Sequence, residues 1–240
     1  MNSFFILLSI AFLSLATWQY VEAREARVIE EVSAIEIPQF EARPQVVILP
    51  VPFIRQTPDG DWSYPWNNAC EEAVIMMAER FYQGDTRETI SGTETRELLP
   101  PLFKIQEKIW GSNKDSNAER TLRIIKEFDG AFDATIKTNP TLEELKAELK
   151  AGHPIISLHY GIGLDNPEHI YVKNGSGYHM ILLVGYDDDT REFLANDPEG
   201  PSGRNWRYSY DTIMETLGDY NHQTYKVEDT PTVLFTQPRD

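Results

Sequence analysis

Residues 177–200 read GYHMILLVGYDDDTREFLANDPEG. Between Tyr178 and Tyr186 apolar side chains fall on both faces of an extended chain, the mark of a strand covered on both sides. A partner strand over 191–196 follows Asp187-Asp188-Asp189, which reads as a three-residue hairpin loop because Asp tolerates the left-handed position such a loop needs. A loop centred on Asp188 pairs Tyr186 with Thr190, and counting outward sets His179 directly opposite Asp197. Opposed residues share a face of the sheet with Cα atoms about 4.5–5.5 Å apart. A carboxylate there holds the imidazole's tautomer and stabilises its charged form. A slip of one residue instead brings Asn196 to the imidazole or turns Asp197 to the other face. Asp197, standing before Pro198, also has the simpler reading of a residue that ends the strand.

Further strands are expected over 154–160 and 232–236, with a short helix over 210–217. An opening strand over 45–53 is broken by Pro50 and Pro52 and therefore belongs at an edge. The first half of the chain is helical. A helix that Asn67 or Asn68 can cap follows, with Glu71 and Glu72 at its positive end and an apolar stripe of Ala73, Val74, Met77, Ala78 and Phe81. Gly84 stops it. Helices are also expected over 101–110 and 118–128, and another begins at the Thr141/Glu144 capping box and ends at Gly152. Helices followed by an antiparallel sheet make the class α+β.

Cys70, the one cysteine, lies in the first turn of its helix, where unpaired N–H groups and the helix dipole favour a thiolate. Glu71 and Glu72 oppose that, so reactivity asks for a nearby imidazolium; the alternative is a buried cysteine acting as a small hydrophobe. His179, at the end of a central strand, is the candidate base. His153 follows a helix end, His159 sits in a strand, and His169 and His222 lie in polar stretches; these four read as structural. Gln56 can donate its amide to an oxyanion beside the Cys70 N–H, although a loop glutamine can equally be structural. Trp62, Tyr64 and Trp66 either line a cleft or pack down their Pro-rich loop. The histidines lack metal-ligand spacing and the Asp run lacks a calcium-loop pattern, so neither metal nor organic cofactor is expected.

The 240 residues suffice for one domain. The formal net charge of -16 argues against nucleic acid and anionic membrane surfaces as partners, and would repel acidic substrates. Residues 4–16 are almost wholly apolar, too few for the ~20 of a membrane span, and Val21-Glu22-Ala23 places small residues where a signal peptidase reads. Residues 1–23 therefore read as a cleaved export signal, with an uncleaved anchor as the rival since no Lys or Arg precedes Arg24. Residues 24–44, Glu-rich with Pro38 and Pro44, read as a flexible arm, and residues 45–240 as the folded domain. A secreted protein without stable membrane insertion is expected.

Four blocks, VPFIRQTPDGDWSYPWNNACEEAVIMMA (51–78), AGHPIISLHYG (151–161), residues 177–200 and YSYDTIMETL (208–217), together resemble the C39-like cysteine peptidases, and within them a stand-alone secreted bacterial branch. The resemblance runs from about Val46 to the end. It implies a papain-like fold, with the nucleophile's helix packed on an antiparallel sheet that carries the base. It also implies a Cys-His-Asp triad working through a thioester acyl-enzyme on peptide or protein substrates. Cys70 is then nucleophile, His179 base, Asp197 orienting acid and Gln56 oxyanion donor. Alternatives on the same fold are a cell-wall peptide amidohydrolase or transpeptidase, and a catalytically silent binding domain.

Overall fold

The structure, a computed structural model, describes Arg24, residues 45–169 and residues 177–239. The expected signal segment and, apart from Arg24, the arm lie outside the described residues. The strands are β1 (Val46–Ile48), β2 (Phe132–Thr138), β3 (Ile155–Tyr160), β4 (Tyr178–Asp187), β5 (Glu192–Asn196), β6 (Trp206–Ser209), β7 (Asp219–Asn221), β8 (Lys226–Glu228) and β9 (Thr232–Pro238). The helices are α1 (Cys70–Tyr82), α2 (Gly92–Leu98), α3 (Pro100–Trp110), α4 (Ala118–Phe128), α5 (Leu142–Lys150) and α6 (Tyr210–Thr216).

The strand that is apolar on both faces, β4, is buried at every residue and lies at the centre of a seven-stranded antiparallel sheet. The order is β2-β9-β3-β4-β5-β6, and β1 adds to the far end of β4 as the short edge strand its prolines foretold. One face of the sheet, with Met180, Leu182, Val184, Leu194 and Leu234, packs beneath α1, α3 and α4. The other, with Ile181, Leu183, Phe193, Ala195 and Val233, packs on α5 and α6. Each buried Leu, Ile, Val or Phe contributes about 1.5–3 kcal/mol, so β4 is the strand both cores depend on. The class is α+β, with helices on both faces. β2 falls among the helices in sequence rather than after them, and α2 had no signal in the apolar pattern because it buries only Thr95.

The capping box forms as expected: Thr141 Oγ1 accepts the Glu144 N–H at 3.2 Å, and the Glu144 carboxylate accepts the Thr141 N–H at 2.9 Å. The expected cap on α1 does not form. Asn67 and Asn68 belong to a single 3-10 turn, Trp66–Asn68, and Ala69 takes the cap position without a side-chain bond.

The expected hairpin is also different. Asp187 pairs with Glu192, so the loop has four residues, 188–191, and not three. That change alone would put Asp197 on the wrong face of the sheet. Between Leu183 and Gly185 the register shifts, with Val184 as the extra residue: Gly185 pairs with Leu194, but Leu183 pairs with Ala195 and Leu182 with Asn196. A bulge of this kind restores the parity. Continued one step, the count sets Asp197 opposite Ile181, on the face His179 shares and one diagonal step away. The two are neighbours, but not through the direct pairing that the sequence suggested.

Candidate active site

Asp197 follows the last residue of β5 and is wholly buried. Its N–H donates to the Gly203 carbonyl at 2.8 Å, and a Cβ on Gly203 would stand 1.8 Å from the Asp197 carbonyl oxygen. Only a glycine lets this loop close so tightly. An isolated buried carboxylate is costly, and Asp197 is compensated by donors from several parts of the chain. His179 Nε2 donates to Oδ1 at 2.8 Å and His169 Nε2 to Oδ2 at 2.6 Å. Asn166 Nδ2 donates to Oδ2 at 3.2 Å, the Glu199 N–H to Oδ1 at 3.3 Å, and the Tyr208 hydroxyl also reaches Oδ2. Burial raises the pKa of the carboxyl, but the two imidazoles outweigh it and hold Asp197 well below the usual range.

An ionised carboxylate only accepts, so His179 carries a proton on Nε2 and its Nδ1 is the nitrogen left for chemistry. Burial disfavours the charged ring, yet Asp197, with Glu199 and Glu71 farther off, more than offsets it, and the His179 pKa is raised. Glu199 Oε2 lies 3.9 Å from Nδ1. His179 and Cys70 line one small cleft of about 80 Å³, together with Gln56, Trp62, Asp115 and Glu199. Of the three aromatic residues in the Pro-rich loop only Trp62 lines that cleft; Tyr64 is exposed, and Trp66 packs edge-on against Phe103 at 5.5 Å.

Cys70 is the first residue of α1, and its backbone N–H has no partner within the helix. Its thiol donates to Glu71 Oε2 at 3.1 Å. Burial, then the Glu71 charge, push the thiol pKa well up, which disfavours the thiolate. Glu71 itself is buried, its Oε1 accepting the Ser116 N–H at 2.7 Å; burial and Asp115 raise its pKa to about 7. Glu72 is buried beside it, bonded by the Gln106 amide, and is raised well above the ordinary value by burial and Glu71. The two acids at the helix's positive end are therefore interior groups. Gln56 is buried too. Its Nε2 reaches the Trp66 carbonyl at a long 3.4 Å, its Oε1 has no partner among the described residues, and its N–H donates to the Pro198 carbonyl at 2.9 Å. That last bond ties the Gln56 segment to the loop following Asp197.

All four sequence-derived residues thus belong to one region: Cys70, His179 and Gln56 face the cleft, and Asp197 stands behind His179. His169 lies in a loop, as its polar surroundings suggested, but it is not a solvent-facing residue. Its side chain is buried and its ring lies edge-on to His179 with centroids 4.6 Å apart. No local pattern around His169 marks this, since Asp197 is 28 positions away. His153 pairs with Glu148 at 2.9 Å, as a helix-end histidine should. His159 is a satisfied core histidine between Thr216 Oγ1 at 2.8 Å and Ser157 Oγ at 2.9 Å, and burial lowers its pKa to about 3. His169, His179 and Glu199 each bring one ligand atom within 4.8 Å of the others, a grouping the linear spacing did not suggest and donors that could hold a metal ion.

Residues 48–227 match the model of the Peptidase_C39 like family. No curated protein matches the chain. Among solved structures, a protein described as a C39-like peptidase from Bacillus anthracis is 15% identical, with 82% of this chain and 100% of that chain covered at a TM-score of 0.50. Xylellain, a cysteine protease from Xylella fastidiosa, is also 15% identical, with 83% and 88% covered at 0.42. A double glycine motif protease from an AMS/PCAT transporter, solved with the leader peptide, is 15% identical, with 81% and 99% covered at 0.40. The likeness to the first of these concerns the fold. The family match spans most of the chain and includes the segments bearing Gln56, Cys70, His179 and Asp197, so the chain belongs to the Peptidase_C39 like family, and with it to the cysteine-type peptidases.

Proposed function

We propose that this chain is a secreted peptidase that hydrolyses peptide bonds with Cys70 as nucleophile, His179 as base, Asp197 as the acid that orients it and Gln56 as oxyanion donor. One observation carries the reading. Asp197 holds His179 by Nε2 at 2.8 Å, which leaves Nδ1 as the free nitrogen of a ring on the cleft that Cys70 and Gln56 also line. His179 Nδ1 takes the thiol proton, and the thiolate attacks the substrate carbonyl carbon to form a tetrahedral oxyanion. The Cys70 N–H at the start of α1 and the Gln56 amide are the donors for that oxygen. As the C–N bond breaks, His179 returns the proton to the leaving amine, leaving a thioester on Cys70. His179 then takes a proton from water, whose oxygen attacks the thioester; the C–S bond breaks, His179 returns the proton to the Cys70 sulfur, and the acid is released. In the resting molecule the thiol bonds to Glu71 and not to His179. Catalytic hydrogen bonds in an empty site are commonly looser and tighten once substrate is bound.

Export rests on the apolar run over 4–16 and the small-residue site ending at Ala23. Among the described residues no helix is long and apolar enough to cross a membrane. Mapping cut sites in a peptide library beside a Cys70→Ala control tests the chemistry; a library left intact by the wild-type chain, or cleaved equally by the variant, sinks it. Gln56→Ala should keep the fold and lower kcat by roughly 10²–10³, and normal turnover would remove Gln56 from the site. N-terminal sequencing of exported protein should begin near Arg24, whereas an intact Met1 in the membrane fraction would overturn cleavage.

A further inference from the structure

A second cavity, of about 360 Å³, lies among the segment that leads to Gln56, the start of α2 and the loop that follows Asp197. Arg55 and Arg204 both line it, along with Phe53 and Ile90. The chain carries 38 acidic against 22 basic side chains, so an arginine here has carboxylates to spare. Arg80, Arg87, Arg96, Arg207 and Arg239 each lie within ion-pair distance of two of them. Arg55 has none among the described residues. Among the described residues Arg204 has only Glu88, at 3.5 Å, whose side chain is 79% exposed. The Nε atoms of both Arg55 and Arg204 are buried without a hydrogen-bond partner among the described residues. Two guanidiniums with unspent donors thus line the same hollow.

Asp59 also lines the cavity, but among the described residues it pairs with neither of the two arginines. Its carboxylate lies against Gly92, where a Cβ would come within 2.3 Å of Oδ1, and 3.7 Å from Arg96 Nε. Arg96 itself does not line the cavity. Guanidinium presents a rigid fork that matches a carboxylate, and Phe53 and Ile90 offer an apolar wall for the methylenes or backbone next to one. Arg55 immediately precedes Gln56, and Arg204 closes the loop whose Pro198 carbonyl accepts the Gln56 N–H at 2.9 Å. The two segments that bring Gln56 and Asp197 to the cleft therefore also carry the two arginines.

We propose that the Arg55–Arg204 cavity is a substrate subsite that takes a carboxylate of the peptide, either an acidic side chain or a free chain end. It rests on the peptidase reading and gives that reading a substrate class. The strongly negative molecule would repel such peptides at a distance, and the cavity locally reverses that preference.

The test uses the full Cys70→Ala chain, which binds without cutting, and fluorescent neutral peptides in matched pairs. One set moves a single Glu along the peptide against Gln at the same position. The other compares a free with an amidated C-terminus. The carboxylate member of at least one pair should bind about tenfold more tightly, as one charge-assisted bidentate pair can supply. Arg55→Gln and Arg204→Gln should each erase the difference, and added salt should shrink it. Melting temperatures equal to the parent's ensure that each variant is folded. Which set responds identifies side chain or chain end as the source. Equal affinities within every pair, no binding of the carboxylate peptides, or a preference that survives in both arginine variants overturns the proposal. Cleavage by the wild-type chain is measured separately: a chain that discriminates but never cuts keeps the subsite and loses the peptidase reading, and one that cuts without discriminating does the reverse.

Discussion

Asp197 receives five donors from different parts of the chain, and replacing its charge alone tests what it does. Asp197→Asn keeps a hydrogen-bonding shape but favours the wrong tautomer of His179. By analogy with the serine triad it should cost ~10⁴ in kcat. Asn196→Ala serves as its comparison. Asn196 donates to the Val51 carbonyl at 3.2 Å and accepts the Asn205 N–H at 3.1 Å, so its loss should cost about 1–3 kcal/mol in urea unfolding and leave kcat nearly unchanged. The reverse pattern would mean that an amide orients the base. Glu71 offers a second test at this scale. Its charge, after burial, is what holds the Cys70 thiol up. Glu71→Gln removes the charge and keeps an acceptor for the Ser116 N–H, so iodoacetamide at pH 7.5 should label folded Cys70 faster in the variant than in the parent. Slower or equal labelling would leave burial as the whole cause.

At the scale of elements, the site depends on a bulge and a loop rather than on regular pairing. Val184 restores the parity lost in the four-residue hairpin loop, and Gly203 closes the loop after β5 against the Asp197 carbonyl. Gly203→Ala forces that carbonyl to move. It should destabilise the protein by about 1–3 kcal/mol and also lower kcat, because Asp197 moves with it. Thr141→Ala removes one half of a capping box remote from the cleft, and should cost about 1 kcal/mol with kcat intact. Measured together, the pair separates loss of stability from loss of alignment; a Gly203→Ala enzyme with full kcat would show that Asp197 tolerates the shift.

For the whole molecule, the buried ionisable groups set how stability varies with pH. Glu71, raised to about 7, and Glu72, raised well above its ordinary value, hold protons in the folded state that the unfolded chain releases near 4.5. Their stabilisation is complete below that value and is lost as pH rises through the folded pKa. His159 acts oppositely: held neutral down to about 3, it adds stability with rising pH until the unfolded imidazole has titrated near 6.5. Above 6.5 its contribution is constant, while Glu72 and the raised His179 still lose theirs. The melting temperature should therefore fall from pH 6.5 to 8, and Glu72→Gln should flatten that slope. A melting temperature that rises over this interval would mean that the acids are ionised in the folded state.

Much of this was legible in the residues. The doubly apolar run over 178–186, the capping box at Thr141, the prolines near β1 and the placement of Cys70 at a helix start are local patterns, and local patterns are what backbone geometry responds to. They determined the class, most of the elements and the four candidate residues. The hairpin count reached the right pair, His179 and Asp197, by the wrong register: a longer loop and a bulge cancelled one another, and neither has a sequence mark that fixes its length. What only the tertiary structure decided are the partners distant in sequence. His169 and Tyr208 come to the far side of Asp197, Glu71 turns inward onto the thiol, and Arg55 meets Arg204 across a hollow. Their places follow from how loops close and helices pack on the sheet. Hydrophobic burial drives that packing without direction, and the polar groups enclosed in it find their partners only once the chain is folded.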